Sequence, residues 1–262
     1  MVSSEFRLEA RKKLEGKWGK AACLVLAYVA ILFVLGFISG LFPESMQSIL
    51  SLAVSVIEVP LSFGFIISLL KLYNDEEVKA FDFLSLGFSN FKKSWGVSLH
   101  MFLKLIVPFI LIIVSYVLIG FGMVGMIGSS LSRTSSAAGS FWFLGIIGFI
   151  LLIVSMIWSI TKSYYYQLAY LIAADNPEMS SKEAVLKSEE LMNNKRGKLF
   201  CLQFSFVGWA ILASFTLGIA YLWLLPYIQF ALIAFYKYAT GNISDVKAEV
   251  VTENNSDPIQ GK

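Results

Sequence analysis

Few side chains in this sequence could take part in chemistry, and the most suggestive is a carboxylate inside an apolar run. Glu58 lies two residues before Pro60, among long stretches of leucine, isoleucine and valine. A charge at that depth costs at least about 2.5 kcal/mol unless it is paired, protonated or hydrated. His100 and Lys104 share one face of a predicted helix and could be its partners. Alternatively the span is shifted, so that Glu58 is shallow and Lys104 extends to the headgroups.

The second candidate site is a turn in the most polar part of the chain. Asp175-Asn176-Pro177 predicts the end of a helix, because proline disfavours a helical residue before it and asparagine and aspartate turn easily. With Glu178 and Glu183, this turn could instead form an acidic cluster at the headgroup level, which an enzyme acting on lipid would need. Turn and cap geometry already explains these residues.

A short amphipathic helix is predicted directly after this turn, over about residues 180–194. Ser180 and Glu183 have the spacing of a capping box. One stripe of this helix is apolar or small and consists of Ala184, Val185, Ser188, Leu191 and Met192. We expect the helix to lie on the membrane surface or beneath the bundle, where it could contact other membrane proteins.

The composition indicates a bilayer and argues against most soluble functions. The 262 residues are 57% hydrophobic and 15% charged, with a net charge of +3, whereas soluble domains are about 25% charged. So small and dispersed a positive charge does not indicate a nucleic-acid partner. One histidine and two cysteines, Cys23 and Cys201, are too few ligands for a metal site. We therefore expect no catalytic, metal or cofactor site.

Six apolar runs are long enough to cross a bilayer, which takes roughly 20 residues per helix. Lipid offers no partner to unpaired backbone groups, so the runs must be helical. The predicted fold is all-α and polytopic, with a cytoplasmic amphipathic segment at 1–20, a transmembrane domain with short interfacial helices at 21–239, and a flexible cytoplasmic tail at 240–262. The predicted spans are about 21–42, 48–72, 102–127, 140–161, 199–216 and 219–238.

Basic residues give these spans an orientation, because lysine and arginine accumulate on the cytoplasmic side of a membrane. All but two of the 21 basic residues fall in the amino-terminal segment, the second and fourth connections, or the tail; the exceptions are Arg133 and Lys104. An even number of spans explains this distribution. We therefore predict a protein of the cytoplasmic membrane with six spans and both termini in the cytoplasm.

Polar and small residues inside the spans predict how the helices pack. Gln203 and Gln229 could form hydrogen bonds between helices. Several glycines are spaced so that two helix backbones could approach closely; these are Gly36, Gly40, Gly145 and Gly148. Both features are typical of a bundle that is held together within the membrane.

The sequence resembles a known family in three blocks. These are RKKLEGKWGKAACLVLAY, PLSFGFIISLLKL, and ADNPEMSSKEAVLKSEELM with the apolar stretch from KLFCLQF onward. They are similar to the bacterial membrane proteins grouped as domain of unknown function 975. The resemblance covers about residues 5–240 and is most specific at Asp175, Asn176, Pro177, Ser188, Phe200, Ser205, Phe206, Trp209, Gly218, Pro226, Tyr227, Phe235 and Tyr236. It implies an integral bacterial membrane protein and brings no assigned activity.

Three functions are compatible with these observations. The absence of a catalytic constellation favours a non-enzymatic scaffold, assembly or membrane-adaptation component, with the lipid bilayer and other membrane proteins as partners. The alternative is a transporter of small solutes or lipophilic compounds that uses Glu58, which the intramembrane prolines also suggest. The third is a lipid enzyme acting through Asp175 or Glu178.

Overall fold

All regular secondary structure in the part of the chain that the structure describes, residues 2–131 and 135–241, is helical. The predicted all-α fold is therefore confirmed. The predicted tail at 240–262 lies, beyond Gly241, outside the described residues, and so does Arg133. In this computed structural model the helices are α1 (Ser3–Leu14), α2 (Trp18–Gly40), α3 (Glu44–Tyr73), α4 (Asp82–Ser89), α5 (Phe91–Leu131), α6 (Ser135–Tyr166), α7 (Ala169–Asp175), α8 (Ser181–Met192), α9 (Arg196–Phe204), α10 (Val207–Phe215) and α11 (Tyr221–Ala239).

Five helical stretches in the described part are long and apolar enough to cross a membrane. They are Trp18–Gly40, Glu44–Tyr73, Phe91–Ser129, Ser140–Asp175 and Arg196–Phe215, and they correspond to the first five predicted spans. The sixth predicted span corresponds to α11, which is not among the five. Gln229, Lys237 and several tyrosines lower the mean hydropathy of α11. That α11 crosses the membrane stays a prediction.

One compact unit consists of the described residues up to Val97 together with those from Leu168 to Gly241, and α11 is its central helix. It packs against α1, α2, α3 and α10, and its most enclosed side chains are Phe230, Ala231, Ala234 and Phe235. The rings of Phe6 in α1 and Phe235 meet edge to face, with 5.3 Å between their centroids. The apolar face of the amino-terminal helix is therefore part of the core.

The other compact unit, Ser98–Gln167, contains most of α5 and all of α6. Its two helices approach closely at the predicted glycines. A Cβ added to Gly122 would lie 2.9 Å from the backbone nitrogen of Gly145, and one added to Gly148 would lie 2.9 Å from Cγ1 of Ile119. The role predicted for Gly148 is therefore confirmed. The backbone of Gly145 lies at the same contact, but a Cβ added to Gly145 itself would meet no described atom within 4 Å.

The same prediction is wrong for Gly36 and Gly40. No atom of the described residues lies within 4 Å of a Cβ added at either position. The reason is that α2 contacts its neighbours through its first half, where Ala21, Leu24, Val25 and Ala27 are buried. The later turns that carry these glycines are exposed.

The closest backbone approach in the first unit is between α3 and α4. A Cβ on Gly64 would overlap the carbonyl oxygen of Phe83 and lie 2.6 Å from the backbone nitrogen of Gly87. A Cβ on Gly87 would overlap the carbonyl oxygen of Pro60 and lie 2.9 Å from its carbonyl carbon. The two helices can cross here only because both residues lack a side chain.

The break that Pro60 makes in the hydrogen bonding of α3 is repaired by a residue of α5. Proline has no N–H, so the carbonyl four residues earlier, that of Val56, loses its helical partner. The indole Nε1 of Trp95 donates to this carbonyl oxygen at 3.2 Å. Trp95 therefore satisfies a backbone group that would otherwise be unpaired in an apolar setting.

Replacing this indole should destabilise the fold more when Pro60 is present than when it is absent. We expect Trp95→Phe to lower the free energy of unfolding by about 1–3 kcal/mol, the cost of a buried unpaired carbonyl. In a Pro60→Ala background the restored backbone N–H takes the Val56 carbonyl, so the same change should cost clearly less. The free energies of unfolding of the wild type, the two single variants and the double variant are measured in detergent micelles and complete a double-mutant cycle. An equal loss in both backgrounds would contradict the repair.

Candidate functional site

The polar turn that follows α7 is fixed to α11. Helix α7 ends at Asp175, as predicted, and the Asn176 side-chain amide donates to the carbonyl oxygen of Ile172 at 3.0 Å. The hydroxyl of Tyr236 donates to the Asp175 carboxylate at 2.8 Å, and Nζ of Lys237 lies 3.5 Å from the same oxygen. Tyr236 is only 2% exposed and the side chain of Asp175 is 23% exposed, so this contact joins two helices in a largely buried position.

The same turn is also fixed to the start of α5. Nζ of Lys93 donates to the carbonyl oxygens of Asn176 and Pro177 at 2.7 Å and 2.8 Å. The hydroxyl of Ser181, the first residue of α8, donates to the carbonyl oxygen of Lys93 at 3.2 Å. Gly96 makes room for Ser181, because a Cβ there would lie 2.9 Å from that of the serine.

We call this set of interacting residues the motif clamp. The sequence points to the turn but not to all of the residues that hold it, since Lys93 and Lys237 are recognisable only as basic residues and Tyr236 only as a match to the family pattern. No local spacing relates them to the turn, so only their matches to the family pattern could have singled out any of them. The motif clamp consists of Lys93, Asp175, Asn176, Pro177, Tyr236 and Lys237.

Glu183 acts as a helix cap. The backbone N–H of Ser180 donates to its carboxylate at 3.1 Å, and the Ser180 hydroxyl accepts from the Glu183 N–H at 3.3 Å, which confirms the predicted capping box. The backbone hydrogen bond from Ser180, followed by that of its side chain, holds the pKa of Glu183 below its ordinary value. The predicted stripe of α8 is buried at Ala184, Val185, Ser188 and Met192.

Lys17 and Lys195 resemble Lys93 in capping the end of a helix other than their own. Nζ of Lys17 donates to the carbonyl oxygen of Leu72 at 2.9 Å, near the end of α3. Nζ of Lys195 donates to the carbonyl oxygen of Ala239 at 2.9 Å, at the end of α11. The last carbonyls of a helix lack partners and carry partial negative charge, so a cation stabilises them. Basic residues that indicate orientation in the sequence thus also fix helix ends.

Lys17 also pairs with an acid in the turn after α3. The carboxylate of Asp75 accepts from Lys17 and lies 3.5 Å from Nζ of Lys13. The hydrogen bond from Lys17 is the main reason that the pKa of Asp75 is below its ordinary value. A carboxylate whose pKa is lowered on folding stabilises the folded chain above about pH 3.9, its unfolded value. This contribution is lost as the pH falls through the lowered pKa.

The motif clamp and the three sequence blocks all lie within the part of the chain that matches one family. The family described as "Protein of unknown function (DUF975)" matches residues 1–242. The chain belongs to the DUF975 family. The resemblance found in three sequence blocks is thereby confirmed. Among curated proteins nothing matches the chain, and among solved structures nothing matches it either.

The polar residues that are predicted to lie within the membrane are distributed over both compact units of this DUF975 protein. Glu58 lies on an exposed face of α3 in the first unit, whereas the half-buried His100 and the exposed Lys104 lie on α5 in the second. Their predicted pairing stays a prediction. Gln203 on α9 and Gln229 on α11 are half-buried, and neither side-chain amide is hydrogen-bonded to another described residue.

The described part of this DUF975 protein contains no group of three or more histidine, cysteine, aspartate or glutamate side chains that could hold a metal ion. Cys23 and Cys201 are exposed free thiols. The contacts described above support one role most directly: lysine, tyrosine and carboxylate side chains fix the ends of helices.

Proposed function

We propose that this DUF975 protein spans the cytoplasmic membrane six times, with both termini in the cytoplasm, and serves as a non-enzymatic scaffold, assembly or membrane-adaptation component. The distribution of basic residues supports the orientation. The 19 residues of α11 extend over about 28 Å, close to the roughly 30 Å of a hydrocarbon core. In the first unit α1, α2, α3 and α10 pack against it.

The observation that carries the proposal is the engagement of the motif clamp. Asp175 is the most plausible acid for lipid chemistry, yet its carboxylate accepts from Tyr236 and contacts Lys237. Its neighbours Asn176 and Pro177 are held through their carbonyls by Lys93. A catalytic acid needs access to its substrate. Asp175, Asn176 and Tyr236 of the family pattern instead take part in contacts between helices, which supports a structural role.

The exposed face of α8 is suited to binding a protein partner. Leu186 is 43% exposed, and the neighbouring Lys182, Lys187 and Glu190 are exposed as well. An apolar side chain surrounded by charges of both signs is suited to a protein partner with a small apolar contact and a polar rim. The buried face of α8 holds the helix in place, so this surface is presented in a fixed orientation.

A substitution on this face tests the scaffold proposal without disturbing the core. In cells treated with a membrane-permeable crosslinker, Leu186→Asp should reduce recovery of crosslinked membrane partners about tenfold or more, because a charged residue in the centre of an interface is costly. The matched control is Phe81→Asp, which changes another exposed apolar side chain and should leave recovery unchanged. Equal recovery from the wild type and from Leu186→Asp would contradict the proposal.

A further inference from the structure

An apolar cavity with a cation at its edge lies along the hairpin formed by α10 and α11. Its volume is about 340 Å³, within the range of about 300–1,000 Å³ that is usual for small-molecule sites. The side chains that give it its character are Arg11, Trp18, Trp209, Leu212, Trp223 and Tyr227. All of them belong to the first compact unit.

The guanidinium of Arg11 is held in place at this cavity. Its Nε donates to the hydroxyl of Tyr227 at 3.1 Å, and its central carbon lies 5.5 Å from the centroid of the tyrosine ring. The rings of Trp18 and Phe206 pack around the same tyrosine, at centroid distances of 6.2 Å and 5.1 Å. The charged group is therefore positioned before any ligand arrives, which reduces the entropic cost of binding.

Arg11 retains hydrogen-bonding capacity at this position. Among the described residues it makes no ion pair with an acid, and only its Nε–H is used by Tyr227. The remaining N–H donors form a planar fork that matches a phosphate group better than an ammonium would. The cavity thus has a specific preference for an oxyanion at this end.

The rest of the cavity is suited to a hydrocarbon chain. Trp209 is 50% exposed and Leu212 is 59% exposed, and Ala213 and Leu224 complete the apolar wall. Tryptophan is enriched at the level where headgroups meet acyl chains. A ligand with one anionic group and an adjacent apolar chain would contact both parts of this site.

We propose that this cavity binds an anionic phospholipid, with the headgroup phosphate on Arg11 and one acyl chain along Trp209, Leu212 and Trp223. Charge complementarity supports this ligand, because Arg7, Lys12 and Lys13 lie on the same amino-terminal helix as Arg11. The proposal rests on location in a membrane and not on the six-span orientation or the scaffold function.

Lipid binding to the purified full-length protein tests this site. The protein in detergent micelles is titrated with brominated phosphatidylglycerol or brominated phosphatidylcholine, and quenching of tryptophan fluorescence is measured. We expect about tenfold tighter binding of the anionic lipid. Arg11→Gln should remove this preference, because both lipids carry the phosphate but only phosphatidylglycerol is a net anion, whose attraction to the guanidinium is lost with the charge. Equal affinity of the wild type for the two lipids would overturn the proposal.

Two further variants separate a site from general attraction. Lys12→Gln removes the same charge from the same helix, outside the cavity lining, and should weaken phosphatidylglycerol binding by at most about fivefold. Leu212→Trp fills the apolar part at an exposed position and should weaken binding of both lipids. A loss for Arg11→Gln no larger than that for Lys12→Gln would overturn the proposal. Recovery of crosslinked partners by Leu186→Asp tests the scaffold proposal, so failure of that proposal can be distinguished from failure of the lipid site.

Discussion

Gly64→Ala should lower the free energy of unfolding by about 3 kcal/mol or more, the upper part of the range for overpacked sites. The added methyl group would overlap the Phe83 carbonyl oxygen and press on the backbone of Gly87. The atoms in its way belong to the backbone of α4, so no side-chain rotation can relieve the overlap. The two helices would have to separate, which would uncover Phe83 and Leu61.

Chemical unfolding in detergent micelles measures this loss, and α2 provides a matched control. Gly36 is also in a helix, but no described atom lies within 4 Å of a Cβ added there. Gly36→Ala should therefore leave stability unchanged or raise it by up to about 1 kcal/mol, because alanine is the better helix former. If Gly64→Ala were as stable as Gly36→Ala, the backbone contact between α3 and α4 would be refuted.

Asp175→Ala should have the next largest effect, a loss of about 2–3 kcal/mol. It removes the acceptor of the Tyr236 hydroxyl and the nearby acid of Lys237. A buried donor left without a partner costs about 1–3 kcal/mol, and more when charge is involved. A double-mutant cycle with Tyr236→Phe isolates the contact, because Asp175→Ala should cost at least about 1 kcal/mol less when the hydroxyl is absent.

Asp75→Asn is the matched control for this cycle, because asparagine tolerates the positive φ of 68° at this position. Asp75 also pairs with lysine, but its side chain is 63% exposed, and exposed ion pairs contribute about 0–1 kcal/mol. We expect a correspondingly small change in the unfolding midpoint. Strict additivity of Asp175→Ala and Tyr236→Phe would show that the two residues do not act together, and the motif clamp would have to be abandoned.

Helices were the most predictable part of this fold because their signals are local. Long apolar runs predict all five of the helical stretches that are long and apolar enough to cross a membrane. The spacing of Ser180 and Glu183 predicted the cap of α8, and the turn at Asp175-Asn176-Pro177 predicted the end of α7. Each of these signals depends only on residues within a few turns of one another, so a single sequence is sufficient to detect them.

The contacts between helices could not be predicted in the same way. Gly36 and Gly40 have a spacing typical of close packing and face open space, whereas Gly64 and Gly87 have no such spacing and make the closest backbone contact. Which glycine matters depends on which parts of two helices cross. The partners of Asp175 lie about 60 residues away in the chain, beyond the reach of any helical periodicity.

The packing of α1 against α11 has a consequence for biosynthesis. Synthesis proceeds from the amino terminus at roughly 5–20 residues per second, so α1 exists for on the order of ten seconds or more before α11 emerges. During that interval Phe6, Ala10 and Leu14, which are buried in the finished protein, have no α11 to cover them. A nascent or truncated chain therefore displays an uncovered apolar helix face, by which proteases and chaperones can distinguish it from the completed chain.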